Sequence, residues 1–274
     1  MHRIVVASVA ASLSVGLSAA ASAADLGPAP APAPIYTKAP VMVPFTWTGG
    51  YVGGNVGGAW GTTNFTFLPG SAWATVPPPN AQTQLAGDGT TSFKSSGVTA
   101  GFQAGYNYQI SSFVLGVEGD ANYMNLRKTN NFTQTGPVGV PIITPYTLTE
   151  TEKADWLYTF RGRLGYAVDR VLFYGTGGFA AAHTGTSDTL GFPTLAPAST
   201  FTGFGSRAGT QTGWVAGGGL EWAFANHWSA KGEYLHVDLQ TSTTSMNAIN
   251  TIFTQSYQDK TKLDIGRVGV NYHF

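Results

Sequence analysis

Along most of the chain, apolar and polar side chains alternate one by one, the period-2 signature of strands whose two faces meet different surroundings. The clearest run is Gly97 to Gln109, where Val98, Ala100, Phe102, Ala104, Tyr106 and Tyr108 alternate with Gly97, Thr99, Gly101, Gln103, Gly105, Asn107 and Gln109. After a short polar turn near Ile110 the alternation restarts, with Phe113, Leu115, Val117, Ala121 and Tyr123 set against Glu118, Asp120 and Asn122. Two alternating runs joined by so short a turn predict a hairpin.

The unit recurs along the chain. Thr46 to Gly61 places Val52, Val56 and Trp60 opposite Tyr51 and Asn55. Asp155 to Val168 sets Trp156, Tyr158, Phe160, Leu164 and Tyr166 against Asp155, Thr159, Arg161 and Arg163. A tight turn at Asp169 leads into Val171 to Ala182, with Phe173 and Phe179 taken as outward. Thr210 to Phe224 opposes Trp214, Ala216, Leu220, Trp222 and Phe224 to Gln211, Gly217 and Glu221. A turn at Asn226-His227 precedes Trp228 to Leu239, where Lys231 and Glu233 share a face. Lys262 to Phe274 carries Val268, Val270, Tyr272 and Phe274 against Arg267, Asn271 and His273. These runs predict eight strands, three short connections and four long ones, at 62–92, 127–151, 184–208 and 240–258. Short turns at one end and long loops at the other are the asymmetry of membrane barrels. The expectation is therefore all-β: an eight-stranded antiparallel up-and-down transmembrane β-barrel with short periplasmic turns and four long extracellular loops.

Composition favours a barrel over a soluble β-sandwich. Charged residues make up 10% of the chain, against about 25% in soluble domains, yet mean hydropathy is zero. The polar faces combine small residues with charge at Glu118, Asp120, Arg161, Arg163, Glu221, Lys231, Glu233 and Arg267, four acids and four bases. An eight-stranded barrel is filled by its own side chains, so these charges are expected to pair as a lumen network that plugs the interior. Tyr106, Tyr108, Tyr123, Trp156, Tyr158, Tyr166, Trp214, Trp222, Trp228 and Tyr272 lie near strand ends, where amphipathic rings form interfacial girdles.

Three segments divide the chain. Met1-His2-Arg3, an apolar stretch to Ala20 and the small-x-small Ala21-Ser22-Ala23 read as a signal peptide, residues 1–23. Residues 24–45 form a Pro/Ala-rich periplasmic tether, with Pro28, Pro30, Pro32, Pro34, Pro40 and Pro44 holding the chain extended. Residues 46–274 form the barrel. Balanced charge gives no footprint for nucleic acid, and the absence of cysteine removes disulfides and thiolate metal sites. No cofactor or metal is expected. Nor is catalysis: Ser229 and Glu233 share a strand face while His236 has the opposite parity, so one strand does not assemble the three. Gly175-Thr176-Gly177-Gly178 and Gly217-Gly218-Gly219 precede no helix pattern and are no phosphate loop. His183, at the start of the third long loop, is the best-placed histidine for an external ligand such as haem, a solvated loop histidine being the plainer account.

The terminal strand, alternating to Tyr272 and Phe274 at the last position, resembles the signal read by the barrel assembly machinery. Other segments carry a family resemblance as a set: Trp47-Thr48-Gly49-Gly50-Tyr51-Val52-Gly53-Gly54-Asn55-Val56-Gly57, Gly101-Phe102-Gln103-Ala104-Gly105-Tyr106-Asn107-Tyr108, Arg161-Gly162-Arg163-Leu164-Gly165-Tyr166-Ala167, Leu172-Phe173-Tyr174-Gly175-Thr176-Gly177-Gly178 and Lys231-Gly232-Glu233-Tyr234-Leu235. Together they resemble the porin-like outer-membrane immunogenic proteins of alphaproteobacteria, across about 46–274 but not in the long loops. The resemblance implies an abundant surface protein of the outer membrane, in contact with outer-membrane lipids and lipopolysaccharide. The resemblance also implies haem binding or adhesion, in which some relatives are implicated. The first expectation is a structural barrel with at most a narrow pore, and the second is a surface-binding protein acting on haem or a host or matrix ligand through its loops.

Overall fold

The computed structural model describes residues 45–75, 81–134, 146–191, 202–246 and 254–274; the expected signal peptide and nearly all of the tether lie outside these. Nine antiparallel strands run β1 Gly49–Pro69, β2 Thr91–Ile110, β3 Phe113–Gln134, β4 Tyr146–Val168, β5 Val171–Gly191, β6 Thr202–Ala223, β7 Trp228–Leu239, β8 Ser242–Met246 and β9 Gln255–His273. Each pairs with its neighbour from β1 to β7, β7 pairs with β9, and β9 closes the ring on β1. A one-turn helix at Ser71–Thr75, closed by Thr75 Oγ1 donating to the Ala72 carbonyl, and α1 at Ala81–Asp88 lie between β1 and β2.

Among the described residues the strand count is nine rather than the expected eight. The chain leaves the ladder at Gln240-Thr241, and β8 then pairs again with β9, Ser242 opposite Asp259. The long loops are also corrected. Most of 127–151 and 184–208 and the two ends of 62–92 are strand, so β1 to β6 reach 20 to 23 residues, about twice the length needed to cross a bilayer. Their ends look like loops in sequence because both faces there carry Thr, Ser and Asn.

Outward side chains form an apolar band with an abrupt upper edge. On β3 the band runs from Phe113 through Leu115 and Val117 to Tyr123, after which Asn125, Arg127 and Thr129 face out. Ten rises of about 3.4 Å on a strand tilted by about 40° give about 26 Å, and membrane barrels have an apolar band about 25 Å tall. Trp60, Tyr123, Trp156, Tyr158 and Trp214 mark the upper edge; Tyr108, Tyr166, Trp222 and Trp228 mark the lower. The short turns at the lower edge place Ser111 (φ 55°) and Asp169 (φ 50°) in the left-handed region, which short polar side chains tolerate better than branched ones.

A bulge in β4 reverses its faces. Register with β3 and β5 slips between Ala154 and Trp156, so inward positions change from odd (Leu157, Thr159, Arg161) to even (Ala154, Glu152, Glu150). Asp155 therefore lies beside Lys153 on the outside, 3.8 Å away, and not on the face of Arg161 as strict alternation implied. A bulge of this kind inserts one unpaired residue and re-aims everything beyond it.

Candidate functional site

The inward face of β4 passes through every layer of the interior. From the short-turn end it presents Ala167, then Arg163 and Arg161, then Leu157 and Ala154, then Glu152 and Glu150, and last Leu148 and Tyr146. Each is one level of a layered filling: apolar, ionic, apolar, acidic, apolar.

The ionic layer contains all eight strand charges singled out above, each nearly free of solvent. Arg161 donates from Nη2 to Glu118 and, at 2.7 Å, to Asp120, from Nη1 to Glu233 at 2.9 Å, and from Nε to the Thr159 hydroxyl at 2.9 Å. Lys231 reaches both Glu118 oxygens at 2.9 Å. Arg267 joins Glu233 at 2.6 Å and Asp120 at 3.2 Å. Arg163 pairs with Glu221, and its guanidinium carbon sits 3.8 Å from the centre of the Tyr174 ring. Tyr51 donates to Glu118 at 2.7 Å and accepts from Arg163 at 3.1 Å. Pairing on this scale is what allows charge to remain in a closed lumen, where one uncompensated ion costs several kcal/mol. Sequence reasoning missed the neutral members, Tyr51, Tyr174, Thr159 and Asn271; their inward parity was visible, but their partners lie on other strands.

Below the ions, Ser229 Oγ donates to Glu221 at 2.5 Å and meets His273 Nε2 at 2.9 Å. Both acid and serine approach the same ring nitrogen, the acid at 3.5 Å, so the imidazole is not oriented by one and free to deprotonate the other. Trp47 covers this group, its ring 5.8 Å from that of His273, with Phe45 5.0 Å from Trp47. The set considered from sequence is dispersed: Glu233 is in the ionic layer, while His236 faces outward and bonds Asp264 at 2.7 Å. His183 is not in a loop; it lies within β5, opposite Trp156 and Thr210 on the outer wall at the upper edge of the apolar band.

Above the ions, a layer of thirteen buried apolar side chains crosses the lumen, including Met124, Leu126, Leu157, Val215, Leu235, Val237, Leu263 and Ile265. Above that lies an acidic level outside the apolar band, where Glu150 and Asp188 are direct cross-strand partners. Neither oxygen of Asp188 meets a hydrogen-bond donor among the described residues, and one oxygen of Glu150 meets none. Burial pushes Glu150 up to about 7, and burial together with Glu150 pushes Asp188 up to about 7. Glu152 and Asp259 shift the same way, burial again the main cause. Glu150 and Asp188 fell in expected loops, and Glu152 and Asp259 just past the ends of two others, although Tyr146, Leu148, Glu150, Glu152 and Ala154 keep the alternation that betrayed the other strands. Among the described residues no three His, Asp or Glu converge as a metal site.

The family model for the outer membrane protein β-barrel domain matches residues 7–274. The 31 kDa outer-membrane immunogenic protein of Brucella melitensis biotype 1 is 32% identical over 240 residues, 87% of this chain and 88% of that protein. The 22 kDa outer membrane protein of Rhizobium leguminosarum bv. viciae is 27% identical over 190 residues, 66% of this chain and 74% of its own. Neither name denotes an enzyme. Among solved structures, the outer membrane protease OmpT from Escherichia coli aligns with 85% of this chain and 99% of its own at 10% identity and a TM-score of 0.44, too distant to bear on activity.

Proposed function

The chain belongs to the outer membrane protein β-barrel domain family and resides in the bacterial outer membrane, and from that premise we propose that its role is structural. It is a closed barrel of eight staves, β7 and β8 forming one stave interrupted at Gln240-Thr241, that supports the envelope and shapes the cell surface without passing solutes. The short turns face the periplasm and the long ends of the strands face outward. One observation supports this reading: above the ion pairs thirteen buried apolar side chains cross the lumen, a level that any ion would have to pass. The same closure argues against catalysis inside, since the one Ser–His contact among the described residues is covered by Trp47. Phe274, exposed at the end of β9 with its ring 5.5 Å from Tyr272, is the feature offered to the assembly machinery. Single-channel recording in planar bilayers tests the closed lumen. The expected trace is silent, and stable nanosiemens-scale openings by the purified monomer overturn the reading.

A further inference from the structure

Just above the upper aromatic edge, the outer wall of β3 to β6 carries a depression of about 280 Å³. Its outward lining follows two adjacent cross-strand rows, with Thr129 at the end of the upper row just outside the lining, and the inward-facing Thr186 and Arg207 also border it. The lower row reads Arg127, Lys153, Gly185, Ala208, and the upper Thr129, Thr151, Ser187, Ser206, each residue directly opposite the next. All eight share the outward face. Gly185 and Ala208 make the floor, because small residues there leave open space between neighbouring strands. The Lys153 stem lies across Gly185, so closely that a Cβ at that position would fall 2.6 Å from Lys153 Cε. Arg127 and Lys153 are like charges facing each other, an arrangement that destabilises a strand pair unless an anion lies between them. Among the described residues Arg127 has no ion-pair partner, and Lys153 has Asp155 at 3.8 Å only.

The depth of this pocket identifies its ligand. The row of Tyr123, Trp156 and His183 lies immediately below it, and that row ends the apolar band. A group that reaches the pocket from the bilayer has its acyl chains against Tyr123 and Trp156 and its headgroup at the level of Arg127 and Lys153. We propose that this pocket binds a phosphate group of an outer-leaflet glycolipid of the lipid A type, with Arg127 and Lys153 as the charge partners and the hydroxyls of Thr151, Ser187 and Ser206 as neutral donors. The assignment rests on the outward orientation of the long strand ends given above. Guanidinium and hydroxyl donors around one oxyanion make charge-assisted hydrogen bonds, about twice as strong as neutral ones.

Native mass spectrometry of the full-length barrel in detergent, titrated with diphosphoryl lipid A, tests the site. Wild type is expected to hold the lipid at least about tenfold more tightly than Arg127→Ser/Lys153→Ser. Lys260→Ser/Lys262→Ser, which removes two cations from β9, is expected to bind like wild type. Dephosphorylated lipid A is expected to bind like the double variant does, and inorganic phosphate is expected not to displace the lipid at matched concentration. Equal binding by Arg127→Ser/Lys153→Ser and wild type, indifference to the phosphates, or full displacement by free phosphate overturns the proposal. Heat-modifiable migration of each variant establishes that its barrel has formed. Orientation is read separately: the chain has no cysteine, so Thr129→Cys labelled in intact cells by a membrane-impermeant maleimide supports the outward end. Absence of label while lipid binding persists overturns the orientation and the leaflet but not the phosphate chemistry.

Discussion

Replacing Arg161 with leucine tests whether the ionic layer supports the fold. The guanidinium is fully buried and serves Glu118, Asp120 and Glu233. Without it, Lys231 and Arg267 must serve those three acids, because Arg163 is held by Glu221 and approaches Glu118 only at 3.9 Å. Removing one partner of a buried ion pair typically costs about 3–5 kcal/mol. The low end applies here, about 3 kcal/mol, since Lys231 and Arg267 already contact the same carboxylates. Equilibrium urea titration of the barrel refolded in phosphatidylcholine vesicles, followed by tryptophan fluorescence and heat-modifiable migration, measures the loss. Combining Arg161→Leu with Glu233→Leu restores the balance of charge. The double variant is expected to lose at least about 1.5 kcal/mol less than the sum of the singles, within the coupling range of residues in one network. A single-variant loss below about 1 kcal/mol, or strict additivity in the double, refutes the idea that this layer is held by charge compensation.

Two further outcomes follow from the same architecture. Phe102 is the most exposed aromatic side chain of the band, at 79%, so Phe102→Arg is expected to cost about 2–4 kcal/mol in vesicles, as for a cation on the lipid face near the midplane; a shift within error in the same urea titration means that this face does not meet lipid. The second concerns the acidic level, where Glu150 and Asp188 hold protons up to about 7 in the folded barrel but only to about 4 in an unfolded chain. Their contribution to stability is therefore fully present below about pH 4 and is lost as pH rises through about 7. Amide exchange in the upper parts of β4 and β5 is expected to accelerate between about pH 4 and 7, beyond the intrinsic base catalysis seen in the lower barrel, and to follow that intrinsic rate alone above about pH 7; Asp188→Asn is expected to flatten the rise. Equal acceleration in wild type and Asp188→Asn contradicts the assignment. Glu152 and Asp259 face the pair and are shifted upward beside it, Tyr257 is also shifted upward and stays protonated, and Arg207, near Asp259, is the neighbouring cation.

Much of this was legible because a strand has only two faces. Alternation separated Val98, Phe102 and Tyr106 from Thr99, Gln103 and Asn107 without reference to any partner strand, and a bilayer on one side with a filled lumen on the other kept the contrast sharp. Where the outside is water, the contrast fades. Thr147, Thr149 and Thr151 on the outer face of β4 resemble loop residues, so strand ends were read as loops and Glu150, Glu152 and Asp188 went unnoticed. The bulge at Asp155 compounded the error, since a parity argument carried across it points every later side chain the wrong way.

Sequence by itself determined the all-β class, the short turns, and which side chains enter the lumen up to the bulge, because each of these depends on near neighbours in the chain. Tertiary structure alone decided who meets whom inside. Arg161 reaches Glu233 across 72 positions and Arg267 reaches Asp120 across 147. Those contacts depend on the shear with which β9 closes on β1, pairing Tyr51 with His273 and Gly57 with Arg267. A shift of that register would leave the alternation along each strand unchanged, yet it would move every charge to a different level of the lumen. Closure selects the one register in which four acids meet four bases, because burying them unpaired would cost more than a marginally stable fold can offset.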